Sequence, residues 1–161
     1  PLSGWMGHAD PFEFTDGYRP ADGIKRFAAG TPPILSMTAL HAALSVYEGL
    51  DLSTLQAKAR ALGDLFLSRI APLDLECVSP GAGQDRGGHV SVRFDDGYAV
   101  VQALIDQGII GDFRSPDLMR FGFSPLILSY ADVFDAAEAL VETVRSGRYR
   151  DARFSRRGAV T

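Results

Sequence analysis

Two apolar runs late in the chain, Ile109-Ile110-Gly111-Asp112-Phe113 and Leu118 to Phe123, stand so close together that only a tight turn can join them. Strands joined that way pair antiparallel, because a parallel return needs a crossover of about a dozen residues or more. His89-Val90-Ser91-Val92-Arg93-Phe94 alternates as a half-buried strand does, Asp95-Asp96-Gly97 turns the chain, and Leu73 to Val78 is a further short candidate. The rest reads as helix. Leu52, Leu55, Ala59, Leu62, Phe66 and Ile70 recur at three and four residues behind a cap at Asp51 or Ser53, and stop before Pro72. Val100, Val101, Leu104 and Ile105 mark a helix ended by Gly108. Val133, Ala136, Ala137, Leu140 and Val144 line a last one, capped by Ser129 or Asp132. This order predicts an α+β layer, with an antiparallel or mixed sheet of about four strands and helices packed on one face.

The first fifty residues follow a different pattern. Residues 1–31 mix Gly, Pro, Asp and aromatics with no sustained period, and so read as an ordered irregular segment. At Thr31-Pro32-Pro33 a long helix is expected to begin, with Thr31 as N-cap. Its body, Ile34 to Tyr47, is apolar almost all round, which implies burial on several sides, against its own domain and against something else. The expected organisation is therefore 1–31 irregular, 32–50 an interdomain or interface helix, 51–150 a small α+β domain and 151–161 a tail. The sequence opens at Pro1-Leu2-Ser3-Gly4-Trp5 without an initiator Met, in mid-element, and reads as a piece of a longer protein.

With 161 residues, 46% of them hydrophobic, the chain can bury a proper core. A net charge of -4 gives no basic field, and the arginines from Arg145 to Arg157 lie among Ser, Gly and Asp without aromatic interleaving, so nucleic acid is not an expected partner. Cys77 is the only cysteine, which excludes an internal disulfide and fits a reducing cytoplasm. No apolar run approaches the roughly 20 residues that span a bilayer, so no membrane role is expected. His8, His41 and His89 lack the spaced partners of a metal site, His41 is expected to be packed inside its apolar helix, and Cys77 is expected to be a small hydrophobe.

Arg120 is the charge that needs an explanation. It sits in Leu118-Met119-Arg120-Phe121-Gly122-Phe123-Ser124-Pro125-Leu126, so its guanidinium is expected to enter the interior or a pocket wall. Arginine keeps its proton, and its planar fork matches a carboxylate in two parallel hydrogen bonds. Two readings stay open on the motif: a structural ion pair with one of the 20 acidic residues, or a clamp for a ligand carboxylate.

Four separated blocks carry a resemblance. Ser3-Gly4-Trp5-Met6-Gly7-His8, Phe27-Ala28-Ala29-Gly30-Thr31-Pro32-Pro33-Ile34, Arg86-Gly87-Gly88-His89-Val90 and Met119-Arg120-Phe121-Gly122-Phe123-Ser124-Pro125-Leu126, with Tyr130 and Asp132-Val133, resemble the carboxyl-terminal part of kynureninases over nearly the whole chain. That family belongs to the fold-type I, aminotransferase-like enzymes. The resemblance implies pyridoxal 5'-phosphate as cofactor, a homodimer, and hydrolysis of kynurenine or 3-hydroxykynurenine to an anthranilate and alanine in tryptophan catabolism, on the kynurenine route to NAD. It implies that residues 1–31 close the large cofactor-binding domain, that Trp5 and Thr31 reach the cofactor phosphate from the neighbouring subunit, and that Arg120 binds the substrate carboxylate. His8, next to the Trp5 block, is a candidate for the wall of the active site.

A pyridoxal enzyme also needs a lysine to anchor the cofactor covalently and an acid for its ring nitrogen. Only Lys25 and Lys58 occur, and neither stands at the family position, so the chain by itself is expected to be inactive, with no catalytic residue of its own. Two alternatives remain: another fold-type I enzyme such as a cysteine desulfurase, and an α+β interaction module without chemistry.

Overall fold

The computed structural model describes residues 3–81 and 84–156, in two compact units, Pro1–Leu50 and Asp51–Thr161. The first unit opens with short 3-10 turns at Trp5–Gly7 and Gly23–Phe27, followed by helix α1, Ile34–Leu44, and another 3-10 turn at Ser45–Tyr47. Thr31 does not cap α1. The N-cap is Pro33, which offers no side-chain acceptor, and the helix starts directly after it. None of the α1 residues is buried: Leu35 is 88% exposed, and Ile34, Met37, Leu40 and Leu44 are all exposed. His41 is likewise exposed, contrary to the packed position expected for it, because the described residues place no core beside this helix.

The second unit begins with α2, Leu52–Ile70, where the Asp51 carboxylate accepts hydrogen bonds from the Ser53 and Thr54 N–H groups and so satisfies two donors of the first turn. The chain continues through β1 (His89–Arg93), α3 (Gly97–Ile105), β2 (Asp112–Arg114), β3 (Leu118–Gly122) and α4 (Tyr130–Ser146). A reciprocal capping box between Ser129 and Asp132 starts α4, and Gly147, at φ 71°, ends it in the left-handed region that glycine enters without penalty. Arg69 of α2 reaches Glu138 of α4 by Nε at 2.9 Å and by Nη2 at 2.5 Å.

The sheet order is β1-β3-β2, antiparallel throughout, with β3 at the centre. Its register aligns Val90 with Phe121 and Val92 with Met119, so these four residues share one face. All four are buried there with Phe66, Leu62 and Ile70 of α2, Val100 and Leu104 of α3, and Val133, Ala137 and Leu140 of α4. The Phe66 ring lies 4.8 Å from that of Phe121 and 5.3 Å from that of Phe123. Burying a side chain of this size stabilises the fold by about 1.5–3 kcal/mol each.

Among the described residues three strands form, where about four were expected. A 3-10 turn at Ala71–Leu73 and the left-handed Asp74 (φ 51°) break up the Leu73 to Val78 candidate. Only an isolated bridge, Cys77 to Val92, survives, flanked by Arg93 N–H to the Glu76 carbonyl at 2.9 Å and Val78 N–H to the Ser91 carbonyl at 3.0 Å. Cys77 is exposed rather than packed, because the segment crosses the sheet edge instead of entering the core. The run from Ile109 is shortened for a similar reason: Gly108 turns at φ 83°, Ile109 bonds back to the Leu104 carbonyl at 3.0 Å, and pairing begins only at Asp112.

Candidate functional site

Within the first unit, two glycines allow the Trp5 turn to lie against later backbone. A Cβ on Gly4 would stand 1.9 Å from the Ala29 carbonyl oxygen, and one on Gly7 would stand 2.4 Å from that of Arg26, so neither position tolerates a side chain. The Ser3–His8 block is thereby pinned to the stretch that leads into Thr31. Trp5 meets Phe12 edge to face at 5.7 Å and remains 48% exposed. His8 accepts from the Asp10 N–H at Nδ1 (2.9 Å) and faces the Gly17 carbonyl with Nε2 at 3.2 Å, a pattern that only the neutral Nε2–H tautomer satisfies at both nitrogens. Trp5 and His8 together line a cavity of about 310 Å³ with Asp10, Phe14 and Tyr18. Thr31 is not among its lining residues. It lies in an exposed bend, and its hydroxyl has no hydrogen-bond partner among the described residues.

Arg120 occupies the centre of β3 in the second unit. Strand alternation puts it on the sheet face away from the core, directly opposite Ser91 of β1 and Asp112 of β2. Its side chain is 35% exposed, and so half-buried rather than enclosed. Nε donates to Asp112 Oδ2 at 3.1 Å and Nη2 donates to the same oxygen, while Nη1 has no partner among the described residues. Arg114 Nη2 reaches that oxygen as well, at 3.2 Å. The Arg120 hydrogen bond, opposed by slight burial and helped by the charges of Arg120 and Arg114, holds the Asp112 carboxyl below its usual 3.8. An internal acidic partner therefore exists, as one of the two readings of the motif required, but it engages one side of the fork only.

The sequence reading passed over Asp112 and Arg114. The signal was present in the alternation of Asp112-Phe113-Arg114, which places both charged residues on one face across the hairpin from Arg120. Arg86 of the Arg-Gly-Gly-His block serves the fold: it is 8% exposed and donates to Asp64 Oδ1, the Arg60 carbonyl and the Pro80 carbonyl. Lys58 Nζ donates to the Pro125 carbonyl at 2.7 Å, and Lys25 lies exposed in the Gly23–Phe27 turn. No group of three or more His, Cys, Asp or Glu able to hold a metal occurs among the described residues, and no helix there is long and apolar enough to cross a membrane.

The family model described as "Kynureninase C-terminal domain" matches residues 55–140, more than half of the chain, running from within α2 through β3 into α4. The chain belongs to this family. A kynureninase of Pseudomonas fluorescens is 42% identical over 165 aligned residues, covering 100% of this chain and 40% of that protein. One of Deinococcus radiodurans is 51% identical over 136 residues, covering 82% of the chain and 33% of the relative. The chain thus spans about two fifths of the length of the curated relatives it matches.

Among solved structures, a cystine C–S lyase in complex with its product cysteine persulfide superposes with a TM-score of 0.64 at 22% identity, over 88% of this chain and 38% of that one. An 8-amino-7-oxononanoate synthase of Francisella tularensis gives 0.53 at 18% identity, over 77% and 36%. These likenesses support the α+β fold. The kynureninase membership rests on the family model and the curated relatives.

Proposed function

We propose that the protein carrying this chain is a pyridoxal-phosphate-dependent hydrolase that cleaves kynurenine or 3-hydroxykynurenine to the corresponding anthranilate and alanine, working in the cytoplasm as a homodimer. The chain is its small carboxyl-terminal domain, with residues 1–31 closing the cofactor-binding domain and 32–50 forming the interface helix. The observation that carries this reading is Arg120: a strand-borne guanidinium, on the face of the sheet away from the core, whose Nη1 has no partner among the described residues, in a chain of the kynureninase family.

The residues present fit the cofactor in part. Thr31 has a hydroxyl without a partner among the described residues and Trp5 a half-exposed indole, both suited to donate to a phosphate. Neither lysine fits the covalent anchor, since Lys58 is tied to the Pro125 carbonyl and Lys25 lies in an exposed turn. In this reading the anchor would lie in the remainder of the protein, since the chain covers 40% of the Pseudomonas fluorescens relative. When bound, the cofactor withdraws electrons from the substrate's α-carbon.

The work left to this chain is binding and orientation. Arg120 would take the substrate α-carboxylate in charge-assisted hydrogen bonds, which fixes the bond at the α-carbon that lies across the cofactor ring. Trp5 and Thr31 would donate to the phosphate. His8, with Nε2 toward the Gly17 carbonyl, would line the wall of the site. The whole protein, given pyridoxal phosphate and kynurenine, should release fluorescent anthranilate. Arg120→Lys should raise KM while leaving the cofactor absorbance unchanged, because an ammonium loses the two-pronged fit. Unchanged kinetics in that variant would return Arg120 to a purely structural role.

A further inference from the structure

We propose that Asp112 is a positioning residue for the carboxylate clamp, holding the Arg120 guanidinium by one edge so that the other edge is presented to the substrate. The inference rests on the reading of Arg120 given above and adds a residue that the sequence motif does not contain. A guanidinium offers two usable edges, the side edge formed by Nε and Nη2 and the end edge formed by Nη1 and Nη2. Asp112 closes the side edge with a single oxygen, Oδ2, which accepts from both Nε and Nη2. Nη1 remains without a partner among the described residues, so the end edge is available to a second carboxylate in the paired geometry that arginine favours.

Charge points the same way. Arg114 lies 3.2 Å from the oxygen that Arg120 uses, so the cluster contains two guanidiniums and one carboxylate, and its net charge is about +1. One further anion would neutralise it. Without Asp112, Arg114 and Arg120 would repel across the hairpin, and Arg120 would lose the contact that fixes its plane. The arrangement is built into the sheet register, since Asp112 and Arg120 are paired residues of β2 and β3. Side-chain exposures of 46% and 35% leave the pair open to a ligand from solvent.

The test uses the whole protein loaded with pyridoxal phosphate, with KM and kcat measured on kynurenine and inhibition measured with kynuramine, the analogue that lacks the α-carboxylate. Asp112→Ala should raise KM about tenfold, the loss of roughly one charge-assisted hydrogen bond, with kcat within about twofold and the kynuramine inhibition constant unchanged. Asp112→Glu keeps the carboxylate and should bring KM back to within about threefold of the parent, which also guards against a variant that simply folds poorly. An Asp112→Ala KM equal to the parent's, beside a raised KM in Arg120→Lys, would overturn the role of Asp112 and leave the clamp standing. A lowered KM would overturn it too, by showing that Asp112 competes with substrate. So would equal weakening of kynurenine and kynuramine, which would mark a general structural defect. If neither Asp112→Ala nor Arg120→Lys alters KM, the reading of Arg120 itself falls.

Discussion

Helices α1 and α4 are both rich in apolar residues, and the chain uses them in opposite ways. Over its 17 residues α4 alternates Val133, Ala137, Leu140 and Val141 with Asp135, Glu138 and Glu142, and it buries the first set while turning the second outward. Over its 11 residues α1 has no charged position, and none of its side chains is buried. A stripe one face wide can be covered by the sheet and α2 of its own unit. An apolar surface all round needs neighbours on several sides, and these are not found among the described residues. The lesson is one of self-sufficiency: unit Asp51–Thr161 closes its own core, whereas α1, the interface helix of our proposal, leaves its apolar side chains exposed.

The sharpest test of that contrast is in the core. Phe66→Ala should lower the unfolding free energy by about 3–5 kcal/mol, read from the urea midpoint, because the ring is 1% exposed and faces both Phe121 and Phe123. A loss below about 1 kcal/mol would mean that the second unit's core does not carry its stability. Leu35→Ala divides the two settings. In the 161-residue chain, where Leu35 is 88% exposed, the change should stay within about 0.5 kcal/mol. In the whole protein it should cost about 2–4 kcal/mol if α1 is buried there, as its composition demands. Equal, small effects in both settings would sink the idea that α1 is an interface helix.

The smallest effect belongs to the boundary between the units. Asp51, the N-cap of α2, has its carboxyl lowered from 3.8 to about 2, chiefly by the Thr54 hydroxyl, then by the Ser53 hydroxyl and N–H. A folded-state value below the unfolded one means that the contribution is fully present above about pH 4 and is lost as the pH falls toward 2. Asp51→Asn removes the titrating carboxylate, so it should lower stability above about pH 4, leave it nearly unchanged near pH 2, and thereby flatten the acid limb of the stability curve. An identical acid limb in the variant would show that the cap adds nothing.

Much of this was legible without coordinates. The Leu62, Phe66, Ile70 stripe, the Asp51 and Ser129 caps and the alternation in β1 and β3 each depend on residues close in sequence, so local rules suffice to place them. The failures share a cause as well. Leu73 to Val78 and Ile109 to Phe113 carry strand-like composition, but Asp74 and Gly108 adopt left-handed backbone and leave only a bridge in one and a three-residue strand in the other. Thr31 missed its capping role because the helix starts after Pro33, too far along for the threonine oxygen to serve its first turn.

By itself the sequence determined the α+β order, the antiparallel pairing and the importance of Arg120, since periodicity, turn spacing and an isolated charge are properties of the chain. Only the tertiary structure decided which acid Arg120 would meet and which part of its fork would stay open. That choice depends on the register of β2 against β3, which sets Asp112 opposite Arg120 and brings Arg114 to the same oxygen. Register is a cooperative outcome of burying Phe113, Met119 and Phe121 on the far face of the sheet, and no single stretch of residues encodes it.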